Sequence, residues 1–311
     1  MSQTYKATGI NLKSVSLGEA DRIVTILTRE FGLVRAVAAG ARKPKSKLGG
    51  RGELFVVNHL MLSTGRSLDK IAQAETIESY PALSRNLAKL TVAQYWAEVI
   101  LNQPPNHDTT ADVFDWLCQR LADLAASEAG ISPLVHLLYG IVQLLQFEGI
   151  LPQVKRCSLS GQAVNPETMG NGRVIFSPAA GGIVLPTDEV AAAASSSING
   201  GGYAQEPPSA YGRSSKRALT LSASELMLLQ QLVRVQEALP KAYAPPSELL
   251  NLADSAQEWL KVEQALRNYV QYHADRPIRS AALLESCFLP HSIPSPSVQS
   301  QPITVSAAAC P

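Results

Sequence analysis

The chain has little of several things, and each shortage excludes something. Four cysteines stand in 311 residues, at 118, 157, 287 and 310. No pair has the spacing of a metal knuckle or a redox motif, so a reduced, cytoplasmic setting without a metal or other cofactor is expected. Charged residues make up 17% and aromatic residues 6%, which leaves few platforms on which bases could stack. The most apolar stretch, Ile131 to Leu151, is broken by His136, Gln143, Gln146 and Glu148. It therefore reads as a buried core helix and not as a membrane span. The polar start MSQTYKATG carries no signal-peptide pattern. No G-x-x-x-x-G-K-[ST] phosphate loop, G-x-S-x-G elbow or H-E-x-x-H pair occurs. Residue types alone thus make no case for an enzyme.

What is present is an uneven distribution of charge. Residues 1–80 hold 12 Lys/Arg against 7 Asp/Glu, whereas the remainder holds 15 against 19. Half of the early cations fall between positions 35 and 51: Arg35, Arg42, Lys43, Lys45, Lys47 and Arg51, with no acid among them. Gly40, Pro44, Gly49, Gly50 and Gly52 interleave and forbid regular structure there. Glycines let a backbone approach closely, and Lys and Arg replace condensed counterions on a phosphate chain. These six residues are the candidate nucleic-acid contacts, Arg35 differing from the others in lying within a strand. Contact with the backbone, and not reading of bases, is expected.

The same region reads as β structure. Tyr5–Leu12, Asp21–Thr28, Leu33–Ala39, Leu54–Ser63 and Asp69–Thr76 are strand candidates joined by tight turns. Five short strands in about 75 residues suit a small closed barrel, and the OB-fold is the five-stranded barrel associated with oligonucleotides. Phe31 and Phe55 are assigned to its core. From Leu83 the apolar spacing becomes helical: Leu83 to Leu101, Asp112–Ala126 and Leu134–Phe147. His136, on the last of these, is expected to be a hydrogen-bonded core residue. Residues 152–190 are irregular, with short β character at Arg173–Phe176 and Gly182–Val184. Residues 191–217 are low in complexity and predict a flexible loop. Helices resume at Ser222, where Ser222 and Glu225 have capping-box spacing, and at Glu248–His273. The Ser/Pro-rich stretch 289–311 predicts a disordered tail. The fold class is therefore α+β: barrel 1–80, a helical domain 81–151 and 218–288, and an insertion 152–190.

Particular residues carry a likeness to a known family. Gly18-Glu19-Ala20-Asp21-Arg22-Ile23-Val24, continuing through Leu27-Thr28-Arg29-Glu30-Phe31-Gly32 to Ala39-Gly40-Ala41-Arg42 and Ser46, resembles the opening of the RecO family. Leu266-Arg267-Asn268-Tyr269 through Arg279-Ser280 resembles that family's closing helix, and Phe176-Ser177-Pro178 with Gly181-Gly182 its central insertion. The resemblance implies an N-terminal OB-fold and a helical domain interrupted by a zinc-type knuckle. It also implies binding to single- and double-stranded DNA and annealing of complementary strands. RecR and the acidic C-terminal tail of single-strand-binding protein are the implied partners, in a mediator that helps load RecA on gapped DNA. The sequence departs from the zinc-bearing pattern: where that has two cysteine pairs, this chain has Cys157 with Ser160 and Leu185 with Asp188. A metal-free, degenerate knuckle is expected. Two rival classes remain open at this point: a protein-interaction module whose basic loop is a solvated rim, and a nuclease, which would need a carboxylate cluster for Mg²⁺.

Overall fold

The computed structural model describes residues 3–127, 132–169, 172–187, 218–238, 249 and 256–288. The predicted flexible loop and tail lie outside these residues, as do Asp188 and, of the helix expected from Glu248, residues 248 and 250–255.

Five strands form a closed barrel in the order β1-β2-β3-β5-β4: β1 Thr4–Leu17, β2 Asp21–Thr28, β3 Gly32–Ala38, β4 Val57–Ser63 and β5 Asp69–Glu78. All neighbours are antiparallel except β3 and β5, whose parallel step (Ala36 beside Asp69, Val37 beside Lys70) closes the barrel. That order is the OB topology. β1 runs five residues past the predicted end, because the register slips between Asn11 and Lys13 and the strand bends onward with β2 instead of stopping. β4 starts later than expected. Phe55 takes a left-handed backbone (φ 60) and breaks the strand, while its buried ring joins the helical core.

Two apolar clusters divide the barrel. Ala7, Val24, Ile26, Ala36, Leu60, Leu62 and Ile71 fill its interior. Ile10, Leu12, Leu27, Phe55 and Val57 belong instead to the large core shared with the helices. One half of the barrel's outer surface is thus covered. Arg29, in the β2–β3 turn, reinforces the junction with two hydrogen bonds of 2.9 Å to the Asp115 carboxylate, and the Tyr80 hydroxyl donates to the Cys118 carbonyl at 3.1 Å.

The helical part comprises α1 Pro81–Ser84, α2 Leu87–Asn102, α3 Thr110–Ala126, α4 Pro133–Phe147, α5 Ala223–Ala238, α6 Ala256–Ala274 and α7 Leu284–Phe288. Leu83, read as part of α2, sits in the separate helix α1. α4 is central, with twelve buried residues. Gly140 allows α2 to approach it, since a Cβ there would meet Trp96 Nε1 at 2.4 Å. The capping box before α5 forms as the spacing predicts: Ser222 N–H donates to Glu225 at 2.8 Å and Glu225 N–H to Ser222 Oγ at 3.3 Å. Between α4 and α5, β6 Val174–Ser177, β7 Gly182–Val184 and β8 Leu219–Leu221 make a small sheet in the order β7-β6-β8.

The degenerate knuckle folds around hydrogen bonds. The Leu185 N–H donates to Cys157 Sγ (3.4 Å), Gly161 N–H to the Cys157 carbonyl (2.8 Å), and Ser158 N–H to the Ile183 carbonyl (2.8 Å). Cys157 is buried. Cys157 and Ser160, with Leu185 at a third position, do not supply the four Cys/His ligands of structural zinc. Among the described residues no group of three or more His, Cys, Asp or Glu could hold a metal.

A buried polar cluster joins α3 and α4. Arg120 is fully buried, donates to Asp123 at 2.6 Å and lies over the Tyr139 ring at 5.8 Å. Burial holds its guanidinium below the usual range despite the Asp123 partner. His136 is buried beside it, and neither ring nitrogen has a hydrogen-bond partner among the described residues, contrary to the expectation from sequence. Burial and then the Arg120 charge push its pKa down to about 4, from 6.5. The unfolded chain therefore takes up this proton first as pH falls. Stability is lost from about pH 6.5 downward and levels off below about pH 4, by roughly 3 kcal/mol for this group. His136→Gln should flatten the pH dependence of urea unfolding across that window; parallel curves for the two proteins would refute the assignment.

Candidate nucleic-acid interface

The β3–β4 connection, residues 39–56, runs from the barrel interior cluster, where Ala41 and Leu48 pack, to Leu54 and Phe55 at the helical core. Its base is fastened and its tip is not. Asn11, buried in β1, donates from Nδ2 to the Arg51 and Glu53 carbonyls at 2.7 and 2.8 Å, and Asn58 Nδ2 also reaches the Arg51 carbonyl at 3.0 Å. Asp21 accepts the Gly40 N–H at 2.7 Å. Ala41 is buried and Leu48 packs against the barrel interior cluster. Between these anchors successive i→i+3 turns (Lys43 to Gly40, Ser46 to Lys43, Gly49 to Ser46) coil the chain without a strand or full helix.

The six sequence-predicted cations fall into three settings. Lys43, Lys45 and Lys47 are exposed along the coiled tip. Arg42 is exposed too, but its Nη1 donates to the Gly18 carbonyl at 2.8 Å, tying the loop to the β1–β2 turn without neutralising the charge. Arg51 is half-buried in the 3₁₀ turn Gly50–Gly52. Arg35 projects from β3 and is exposed. Among the described residues none of the six forms an ion pair. Three nearby carboxylates are engaged elsewhere: Glu53 with Arg22 at 2.9 Å, Asp69 with the Tyr5 hydroxyl and the Gly65 N–H, and Asp21 with Gly40.

Sequence reading missed Lys13 and Lys70. Lys13 pairs with Thr25, which pairs with Arg35; Lys70 lies beside Val37. Both are exposed and flank the open face. They stand far from the basic run in sequence, and only the strand register brings them to it. Phe31, expected in the core, is instead 54% exposed and packs edge-on against Tyr5 at 5.0 Å.

A closed barrel of this strand order, joined to a helical body and presenting an unpaired cationic face, defines the molecule as an OB-fold protein of mixed α+β architecture. Family models agree with that division: one described as Recombination protein O N terminal matches residues 1–80, and one described as Recombination protein O C terminal matches residues 84–282. Proteins named DNA repair protein RecO match nearly end to end. The Acaryochloris marina protein is 50% identical over 295 residues, covering 93% of this chain and 97% of its own. Those of Cyanothece sp. and Nostoc punctiforme are 42% and 41% identical, each covering more than nine-tenths of both chains. The chain belongs to the RecO family of DNA repair proteins. No helix among the described residues is long and apolar enough to cross a membrane.

Lys45 holds a left-handed backbone (φ 64), which glycine adopts without cost. A lysine there stores about 1 kcal/mol of strain. Lys45→Gly should raise the unfolding free energy by roughly 0.5 kcal/mol, since added freedom in the unfolded chain offsets part of the relief. A clear loss of stability would mean that the lysine stem supports the loop.

Proposed function

We propose that this protein is a non-enzymatic mediator of DNA repair. It binds single- and double-stranded DNA on the open face of the barrel, residues 1–80, anneals complementary strands, and helps load RecA on gapped DNA together with RecR. The observation that carries this reading is the cationic loop, which holds Arg42, Lys43, Lys45 and Lys47 exposed and, among the described residues, without a carboxylate partner.

Two complementary strands repel through their phosphates. A surface of positive side chains screens that repulsion and raises the local strand concentration. Arg42, Lys43, Lys45, Lys47 and Arg51 take phosphates, with Arg35 on the adjoining strand. Binding of this kind leaves base edges free to pair. The helical part, 81–151 and 218–288, supplies the partner surfaces, which include one for the acidic tail of single-strand-binding protein. The site of action is the cytoplasm. No step forms or breaks a covalent bond, and none of the described side chains is assigned a catalytic role.

Replacing Arg42, Lys43, Lys45 and Lys47 together with alanine should weaken single-strand binding. The slope of log K against log salt should fall by about 0.7 for each phosphate left without its cation, and annealing of complementary oligonucleotides should slow in parallel. Unchanged affinity and unchanged salt response would overturn the assignment.

A further inference from the structure

The open face has an order that charge alone does not explain. The ladders set Val15 opposite Ile23 and Ile23 opposite Val37, and the parallel step places Val37 beside Lys70. Two residues along, Lys13 stands opposite Thr25 and Thr25 opposite Arg35. Side chains alternate between the faces of a strand. Val24, Ile26, Ala36 and Ala38 fill the barrel interior, so Val15, Ile23 and Val37 point outward. Val15 is 48% exposed, and Ile23 and Val37 are half-buried. An aliphatic row therefore crosses three strands on a surface that the helices do not cover, bordered by Lys13 and Arg35 along one side and by Lys70 at its end. On the other side Leu17 stands opposite Asp21, whose carboxylate accepts the Gly40 N–H, and apolar area left in water within a charged border marks a contact surface.

We propose, resting on the DNA-binding reading above, that the row Val15–Ile23–Val37 carries the bases of a single strand while Lys13, Arg35 and Lys70 take its phosphates. Three strands at about 4.8 Å span about 10 Å, and a base laid face-down takes more room than the about 3.4 Å of its stacked rise, so one or two unstacked bases lie on the row. The cationic border fits a polyanion and disfavours an acid-free apolar peptide. Aliphatic side chains cover the face of a base without bonding to its edges, so the row is indifferent to sequence and leaves the edges available to a second strand. In a duplex the base faces are already stacked on one another, and the row has nothing to cover. The row thus gives single strands an advantage that salt does not screen.

The test uses the full chain with Val15→Thr and Val37→Thr together, which keep the β-branched shape suited to a strand. Binding is measured to oligo-dT of about twenty nucleotides and to an abasic sugar–phosphate oligomer of equal length, at two salt concentrations. The unsubstituted protein should prefer oligo-dT by about fivefold to tenfold, a modest apolar contribution. The double variant should lose most of that preference and keep its salt slope. Equal binding of the two oligomers by the unsubstituted protein, or an unchanged preference in the variant, overturns the proposal. Val15→Thr alone serves if the double variant melts early, and should lose part of the preference. The two readings fail separately. Failure to bind either oligomer sinks the DNA-binding reading itself. A variant that loses affinity equally for both oligomers leaves DNA binding standing and removes only the base track.

Discussion

The seating of the helical body against one half of the barrel decides what the other half can do. Ile10, Leu12, Leu27, Phe55 and Val57 would be outer-surface residues of an isolated barrel; here they belong to the large helical core. That burial removes these five from water and leaves Val15 exposed on the other half. Arg29 is taken up at the same junction, paired with Asp115. The remaining outer surface, from β1 past the register slip through β2 and β3, keeps its lysines and arginines exposed. The cationic face is therefore a consequence of the packing as much as of the composition.

Holding several like charges in one loop costs self-repulsion, and the structure offsets it with local anchors instead of counter-charges. Asn11 and Asn58, both buried, hold the Arg51 carbonyl. Neutral amides fix the loop base and leave the guanidinium charge intact. Arg42 likewise donates to a carbonyl, not to a carboxylate. Three acids beside the face, Asp21, Glu53 and Asp69, are occupied with backbone N–H groups, a hydroxyl or Arg22.

Much of this was legible in the sequence. β2 is bounded as its apolar pattern predicts, and the helices α3 and α4 begin within two residues of the expected positions. These are local signals: alternation, helical periodicity and proline or serine at a helix start. What escaped is non-local. β8 has three residues, and only its pairing with β6, Leu219 to Leu221 against Phe176 to Val174, makes it a strand. The end of β1 depended on a bulge that no periodicity announces. Phe31 reads as core by type, yet the turn carries it outside, and His136 reads as bonded, yet its described neighbours offer no partner. In the candidate site the loop lysines announce themselves by proximity in sequence. Lys13, Lys70 and the aliphatic row become neighbours only through the register of four strands.

The most direct test of the central claim, that the uncovered half of the barrel is where nucleic acid sits, is hydrogen exchange of the full chain with and without a saturating single-stranded oligonucleotide. Protection should appear in residues 13–25 and 39–56 and be absent from α5 and α6. Protection confined to the helices, with exchange in the β3–β4 loop unchanged, would contradict the account.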